Sequence, residues 1–552
     1  MAKAQFHVLY RVFFLRVIDL ELLASNGDPS RLMAQFANVF IMISIICSIP
    51  VLLMAGHRPP MASQWKAEHF FLETSITIAG LIAVLNWESA FPDRRDVLVL
   101  GPLPVQPGTL LLAKISALFA APALAMATFN LFIGFAWPIV FISGRGGFSG
   151  ALRAWPAYWL TLVLGGAFFV FSMLAIQGLA ANLLPRPLFL QVSALLQAAM
   201  LCLLLSVYFL EPSLESLPAL TSPANQRLLT WLPSYWFLGL FQQLNGSMHS
   251  ALAPLARRAW IGLSVSGFGA GIAMLLSYTR MLPKIIEQPD ILPGARTARW
   301  KPKLGQSLHG AIVLFSLRTL LRSRQHRTIL SLYVGVGLAI VLGFLQTGFV
   351  GATEAAGGIR VVYLLASILT MILTVLAIRV VASIPISLRA NWIMRVTQVR
   401  PAAPYAGAVR LSWLLLAVVP VLLALAAPLF LAYPYPLVLR HLATMLALGA
   451  LVVEICLVSF PKISFTCSYM PGKANLHLAF WACLLFFIRW LKDGADIEGR
   501  MLQTPGNTAL MILVLASLAG IVRLVTHLRT NPTHELLFEE EEQAELVTLK
   551  LT

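Results

Sequence analysis

Few residues of this chain are placed to do chemistry, and the most conspicuous is an acid where water is scarce. Glu454 lies in ALVVEICLVSF, several residues from either end of an apolar run. A carboxylate at mid-bilayer costs about 2.5 to 3.5 kcal/mol by insertion scales, so Glu454 must be protonated, paired or turned to a polar cavity. That suits either a substrate or proton contact or an interhelical hydrogen bond. Glu73 and Glu88 stand near the two ends of another apolar run, where each can reach water by position alone. The patterns of soluble enzymes fail. Gly472 and Lys473 suggest a nucleotide-binding loop, but Cys467 stands where its first glycine is needed and Ala474 follows the lysine, so GxxxxGK(S/T) is not met. The histidines form no HExxH, no GxSxG elbow occurs, and no paired carboxylates share a helix face near water. Cys47, Cys202, Cys456, Cys467 and Cys483 make no CxxC pair and read as small hydrophobes. Asn245, Gly246 and Ser247 match an N-glycosylation acceptor, a three-residue match of little weight. No catalytic, cofactor-binding or metal-binding residue is assigned on these grounds.

The elements that position these residues are set by composition. With 59% hydrophobic and 11% charged residues and a mean hydropathy of +0.81, the chain cannot be a water-soluble globule, whose charged fraction is about a quarter. It reads as an all-α polytopic membrane protein. The net charge of +17 would suggest nucleic acid in a soluble chain, but the basic residues fall between apolar runs, where the orientation rule of the bilayer explains them. No nucleic-acid partner is expected. The start, MAKAQFHVLYRVFFLRVIDLELLA, is interrupted by Arg11, Arg16, Asp19 and Glu21 and reads as an amphipathic helix on the inner membrane surface, not as a signal peptide.

About twelve runs approach the roughly 20 apolar residues that cross a bilayer. In the first half they are 34–54, 70–90, 113–141, 156–181, 188–210 and 260–282; in the second, 329–350, 361–381, 411–431, 441–460, 476–490 and 508–528. An N-in, C-in topology puts about 28 of the 40 Lys and Arg residues on the cytosolic side. The expected organisation is a cytosolic N-terminus over 1–33, a six-span unit over 34–282, and a basic connector with a second amphipathic helix over 283–328. A second six-span unit over 329–528 and an acidic tail over 529–552 follow. The Glu539 to Glu542 run of that tail reads as a solvated segment, or as one that meets the basic connector or a partner.

The halves look like one unit repeated. Arg31 and Arg327 precede first spans, Pro92 and Pro385 end second spans, Lys114 and Arg410 open third spans, and Pro122 and Pro420 break them. The partners in each pair are roughly 293 to 298 residues apart, as an internal duplication requires. Units of six spans share one orientation, so the repeats are parallel. Between the second and third spans of the first unit runs FPDRRDVLVLGPLPVQPGTLLLAK, a hairpin of four charges, Asp93, Arg94, Arg95 and Asp96, then a short amphipathic turn with Leu98 and Leu100, then Pro102, Pro104 and Pro107 before Lys114. Its counterpart holds Pro385, Arg389, Trp392 and Arg395 and lacks the acids. A segment before the sixth span, LLTWLPSYWFLGLFQQLNG, sets Trp231, Tyr235 and Trp236 about Pro233, a composition suited to a helix at the lipid headgroups.

The charged hairpin before a lysine entering a span, and the P-x-x-W element from Pro233 to Trp236, resemble the membrane subunits of type-2 ABC exporters. The resemblance covers most of the first half. It implies that the hairpin is a coupling helix seated in a groove of a separate ATPase subunit, present as a dimer, which binds ATP and magnesium. It implies as well that the aromatic segment dips into the outer leaflet, and that the chain is a multi-pass protein of the inner (cytoplasmic) membrane in contact with lipid. The second half departs from it, since LKDGADIEGRMLQTPGN carries no aromatic helix. An ion-coupled secondary transporter with Glu454 as its proton or cation site, and a non-transporting scaffold or intramembrane enzyme, are the competing expectations. Lipid, glycan, peptide and hydrophobic drug all stand open as substrates.

Overall fold

The computed structural model describes residues 2–18, 29–57, 60–87, 100, 103–143, 147–212, 214–287, 308–347, 358–384, 402–458, 464–465 and 490–529. Among them every regular element is a helix. Nine of these helices are long and apolar enough to cross a membrane, and shorter apolar helical stretches cover Leu195–Leu210, His309–Leu321 and Ile329–Leu338. The protein is a polytopic helical membrane protein. The chain divides into two compact units, Met1–Ala298 and Arg299–Thr552.

The first unit runs α1 (Ala2–Ile18), α2 (Pro29–His57), α3 (Met61–Leu85), α4 (Pro107–Asn130), α5 (Ile133–Ser143), α6 (Gly147–Leu183), α7 (Arg186–Leu210), α8 (Leu217–Thr221), α9 (Pro223–Trp231), α10 (Pro233–Asn245) and α11 (Ala253–Glu287). α1 buries Leu9, Phe13 and Val17 while Val8, Val12 and Leu15 face outward. Its buried face lies on α4, where the Lys114 ammonium stands 5.5 Å from the Phe13 ring centroid. α3 packs on α4, α6, α7 and α10, and α6 packs on α11. Among the described residues, the largest core of the unit gathers about the N-terminal half of α3, with Trp65, Leu72, Trp137, Tyr158, Tyr235 and Phe241. α10 lies against α11 because Gly239 leaves room: a Cβ there would stand 2.8 Å from the Ala256 amide nitrogen and 2.9 Å from the Leu252 carbonyl. Gly246, at φ +73°, then ends α10 in the left-handed conformation that glycine adopts freely.

The second unit runs α12 (Leu308–Arg322), α13 (Arg324–Thr347), α14 (Val361–Ala382), α15 (Ala402–Trp413), a π turn (Leu414–Val418), α16 (Val419–Ala432), α17 (Tyr435–Leu457), α18 (490–501) and α19 (Pro505–Arg529). α12 packs on α15, α13 on α14, α14 on α17 and α17 on α19. α14 is the most enclosed of these, with Leu364, Val375, Ala377 and Val381 fully buried.

Several sequence boundaries move. The second span starts at Met61, not at residue 70, so Glu73 falls in the fourth turn of α3 and not near its end. The apolar run 113–141 is divided, since α4 stops at Asn130 and α5 begins at Ile133. Polar side chains stabilise the break: Ser44 Oγ accepts from the amides of Phe132 at 3.0 Å and Ile133 at 3.4 Å, and Asn130 bonds Ser75 and Tyr158. Pro122 lies inside α4 without ending it, whereas Pro420 follows the π turn, a local rewinding that relieves a helix of the proline's missing donor. The run 188–210 forms α7. The run 476–490 lies outside the described residues but for Trp490, the first residue of α18.

Candidate functional site

The polar chemistry of the first unit is concentrated at the two ends of α3. Toward the N-terminal end, residues four apart fall on one face of the helix, which aligns Gln64 with Glu68 and His69 with Glu73. Glu68 is fully buried. Its carboxylate accepts from Gln64 Nε2 at 2.9 Å and from Gln242 Nε2 on α10. Gln242 Oε1 in turn accepts from Ser247 Oγ at 2.6 Å, and Ser247 Oγ accepts from Asn245 Nδ2 at 3.0 Å. Asn245 is itself buried, so the Asn245-Gly246-Ser247 motif serves this inward network, and its amide is turned from any glycosylating enzyme.

One helix face away, His69 meets the chain segment between α7 and α8. Its Nδ1 lies 3.2 Å from Glu215 Oε1 and 4.0 Å from Glu73 Oε2, and its Nε2 lies 3.5 Å from Glu211 Oε1. The Tyr235 ring stacks on the imidazole at 4.0 Å between centroids and 19° between planes. Tyr235 Oη donates to the Pro212 carbonyl at 2.6 Å and accepts from the Leu214 amide at 2.8 Å, while Ser234 Oγ donates to Glu211. Burial pushes the Tyr235 phenol far above its ordinary value, so it stays a neutral donor. α10 therefore holds both the ring of His69 and the backbone that carries Glu211 and Glu215.

At the other end of α3 the last turn is gripped by neighbouring helices. The amides of Asn86 and Trp87 close the turn on the Ile82 and Val84 carbonyls at 3.1 Å, and side chains add to that grip. Here Gln197 Nε2 of α7 donates to Val84 O at 2.8 Å, Gln177 Nε2 of α6 donates to Trp87 O at 2.6 Å, and Asn86 Nδ2 donates to Ile82 O at 2.9 Å. Trp87 is fully buried and its Nε1 donates to Ser193 Oγ at 2.9 Å. Residue 88 begins the connection that carries the charged hairpin. At the far side of that connection Leu100 and Val105 pack with Leu9, Phe13 and Ala113, and Pro104 O accepts from Gln5 Nε2 of α1 at 3.4 Å.

In the second unit Glu454 sits in the last turn of α17. Arg410 Nη2 donates to its Oε2 at 3.0 Å and Arg410 Nε to its Oε1, a two-point ion pair between α15 and α17. Arg379 of α14 donates to Cys456 O at 3.0 Å and to Ser383 Oγ at 2.6 Å. His326 binds the Ile384 carbonyl at 2.9 Å, one residue before Pro385. Because a carbonyl can only accept, Nε2 carries the proton and Nδ1 faces the Ser323 hydroxyl at 2.5 Å. Farther along α17, His441 Nδ1 lies 2.7 Å from Glu498 Oε1 of α18.

Of the residues singled out in the sequence, Asp93, Arg94, Arg95, Asp96, Leu98 and Pro102 lie outside the described residues, as do Pro385, Arg389, Trp392, Arg395 and Glu88. Leu100 and Pro104 are on α1, as above. Pro233 opens α10, Trp231 is 82% exposed at the end of α9, Tyr235 is fully enclosed, and Trp236 donates to Leu229 O at 2.8 Å. Glu454 is paired, one of the states its position allowed. Sequence reading passed over His69, Glu211, Glu215, Gln177, Ser193 and Gln197. A signal was present for some of them, since two glutamines and a serine inside apolar runs demand hydrogen-bond partners, but nothing in the spacing names those partners. No protein-family model matches the chain, and no curated protein or solved structure matches it.

Proposed function

We propose that this chain is the membrane subunit of a type-2 ABC exporter, a duplicated permease of about twelve spans with both termini in the cytosol of a cell bounded by the inner membrane. The observation that carries the reading is the anchoring of the connection between α3 and α4 at both of its roots. One root is held by Gln177, Ser193 and Gln197 of α6 and α7; the other lies on α1. A force applied to Asp93–Leu100 by an ATPase that closes on ATP and magnesium would pass directly into α3, α6 and α7. The ATPase drives the motion only through a higher affinity for one permease state than for the other.

The internal packing of the two units supports duplication. In each, the first helix lies on the helix that follows the hairpin (α1 on α4, α12 on α15). The helix before the hairpin lies on the fourth span (α3 on α6, α14 on α17), and the fourth span lies on the last (α6 on α11, α17 on α19). Three pairings that recur in register with the offsets in sequence argue for one ancestral six-span unit.

A mild-detergent pull-down of the full chain from native membranes, wild type against Arg94→Glu/Arg95→Glu, tests the reading. Recovery of an ABC ATPase dimer with the wild type and its loss with the variant is the expected result. Absence of any ATPase from the wild-type complex, under conditions that preserve other membrane assemblies, would sink it.

A further inference from the structure

The His69 cluster has the make-up of a metal site. One donor atom from each of His69, Glu73 and Glu211 lies within 4.8 Å of the others. His69 is 3% exposed, and neither its Nε2 nor Glu73 Oε1 makes a hydrogen bond although both atoms are buried. In the neutral tautomer that donates from Nδ1 to Glu215, the Nε2 lone pair faces a Glu211 carboxylate oxygen 3.5 Å away. Two electron pairs then meet across a gap that calls for a cation between them. Ligands about 2.0 Å from a tetrahedral zinc stand about 3.3 Å apart, close to the 3.5 Å between His69 Nε2 and Glu211 Oε1, and the 4.8 Å limit on the three-residue set requires Glu73 to close in on the ion.

We propose that a first-row divalent cation, zinc foremost, binds between the His69 imidazole and the carboxylates of Glu73 and Glu211, with the remaining position open to water. Glu215 fixes the ring tautomer through Nδ1, the role a carboxylate commonly plays behind a metal-bound histidine. Tyr235 sets the plane of the ring by stacking and holds the backbone at Pro212 and Leu214, while Ser234 donates to the Glu211 carboxylate. The nitrogen donor favours zinc over magnesium and calcium, which take oxygen ligands. The ion would clasp α3 to the segment that leads into α8, α9 and α10. Binding here does not depend on the chain being an exporter subunit.

The test uses the purified full-length chain in detergent, stripped with chelator and then equilibrated with Zn²⁺ at pH 7.5, with bound metal measured by mass spectrometry. About one zinc per chain is expected. Affinity should fall by roughly 100-fold or more in His69→Gln and Glu211→Gln, and by about 10- to 100-fold in Glu215→Gln. His441→Gln, at the separate histidine–glutamate pair, should leave it unchanged. Cobalt in place of zinc should give visible absorption of low coordination number. Glu73→Gln, nearly isosteric, serves where His69→Gln does not fold. No stoichiometric zinc in the wild type, or zinc binding unaltered by both His69→Gln and Glu73→Gln, would overturn the assignment and leave a proton as the occupant of the gap.

Discussion

The acid that looked most functional in the sequence is held by an arginine. Glu454 and Arg410 form two hydrogen bonds across α15 and α17, with side-chain exposures of 8% and 18%. Removal of either partner leaves a charge largely out of water. Glu454→Gln should therefore destabilise the protein by about 3 kcal/mol, whereas Arg410→Met with Glu454→Leu should regain most of that loss, because a buried pair can be replaced by apolar side chains at little cost. Thermal melting of the wild type and the two variants in one detergent decides it; a double variant as unstable as the single would show that the pairing is not what the fold requires. That Glu454 needed something was legible from a charge in an apolar run. That the partner was Arg410, 44 positions earlier, was not, because an arginine at the start of a span looks the same whether it meets water, lipid or an acid. His69, Glu211 and Glu215 were hidden for a related reason: one begins an apolar run and the others follow one, and only the fold brings them together.

Among the elements, α3 is the one on which the account turns. Its apolar run was plain in the sequence, but its length was not: the polar stretch Met61–His69 joins the helix because Trp65, Glu68 and His69 turn inward, where α10 supplies their partners. Its other end is tied by Gln177 and Gln197. Loss of Gln177 removes the buried donor to the Trp87 carbonyl, at a cost of about 1 to 3 kcal/mol, whereas the Val84 carbonyl keeps the Trp87 amide when Gln197 is lost. Gln177→Leu should lower stability by that amount and Gln197→Leu by less, and on the exporter reading the two together should uncouple ATP hydrolysis from transport while leaving the ATPase bound. Parallel measurement of melting, co-purified ATPase and transport in proteoliposomes separates these effects. Full transport in the double variant would mean that the grip on α3 is structural alone. The division of the third apolar run into α4 and α5 was not legible, since the turn rests on Ser44, 88 residues before Phe132.

At the scale of the whole molecule, class and most spans could be read from composition and from the length of the apolar runs, because a bilayer fixes both within narrow limits. A repeat is suggested by the nearly constant spacing of prolines and basic residues, and three helix pairings occur at corresponding places in the two units. On the exporter reading, what the chain moves is set by surfaces that spacing does not encode. How it is driven can be asked directly. A photo-reactive residue placed at Val97, within the charged hairpin, and another at Trp231, on the aromatic segment, should be activated in native membranes and their cross-linked products identified. The exporter reading predicts an ATPase polypeptide attached at Val97 and none at Trp231. An ATPase captured at neither position, or at Trp231 alone, would contradict it.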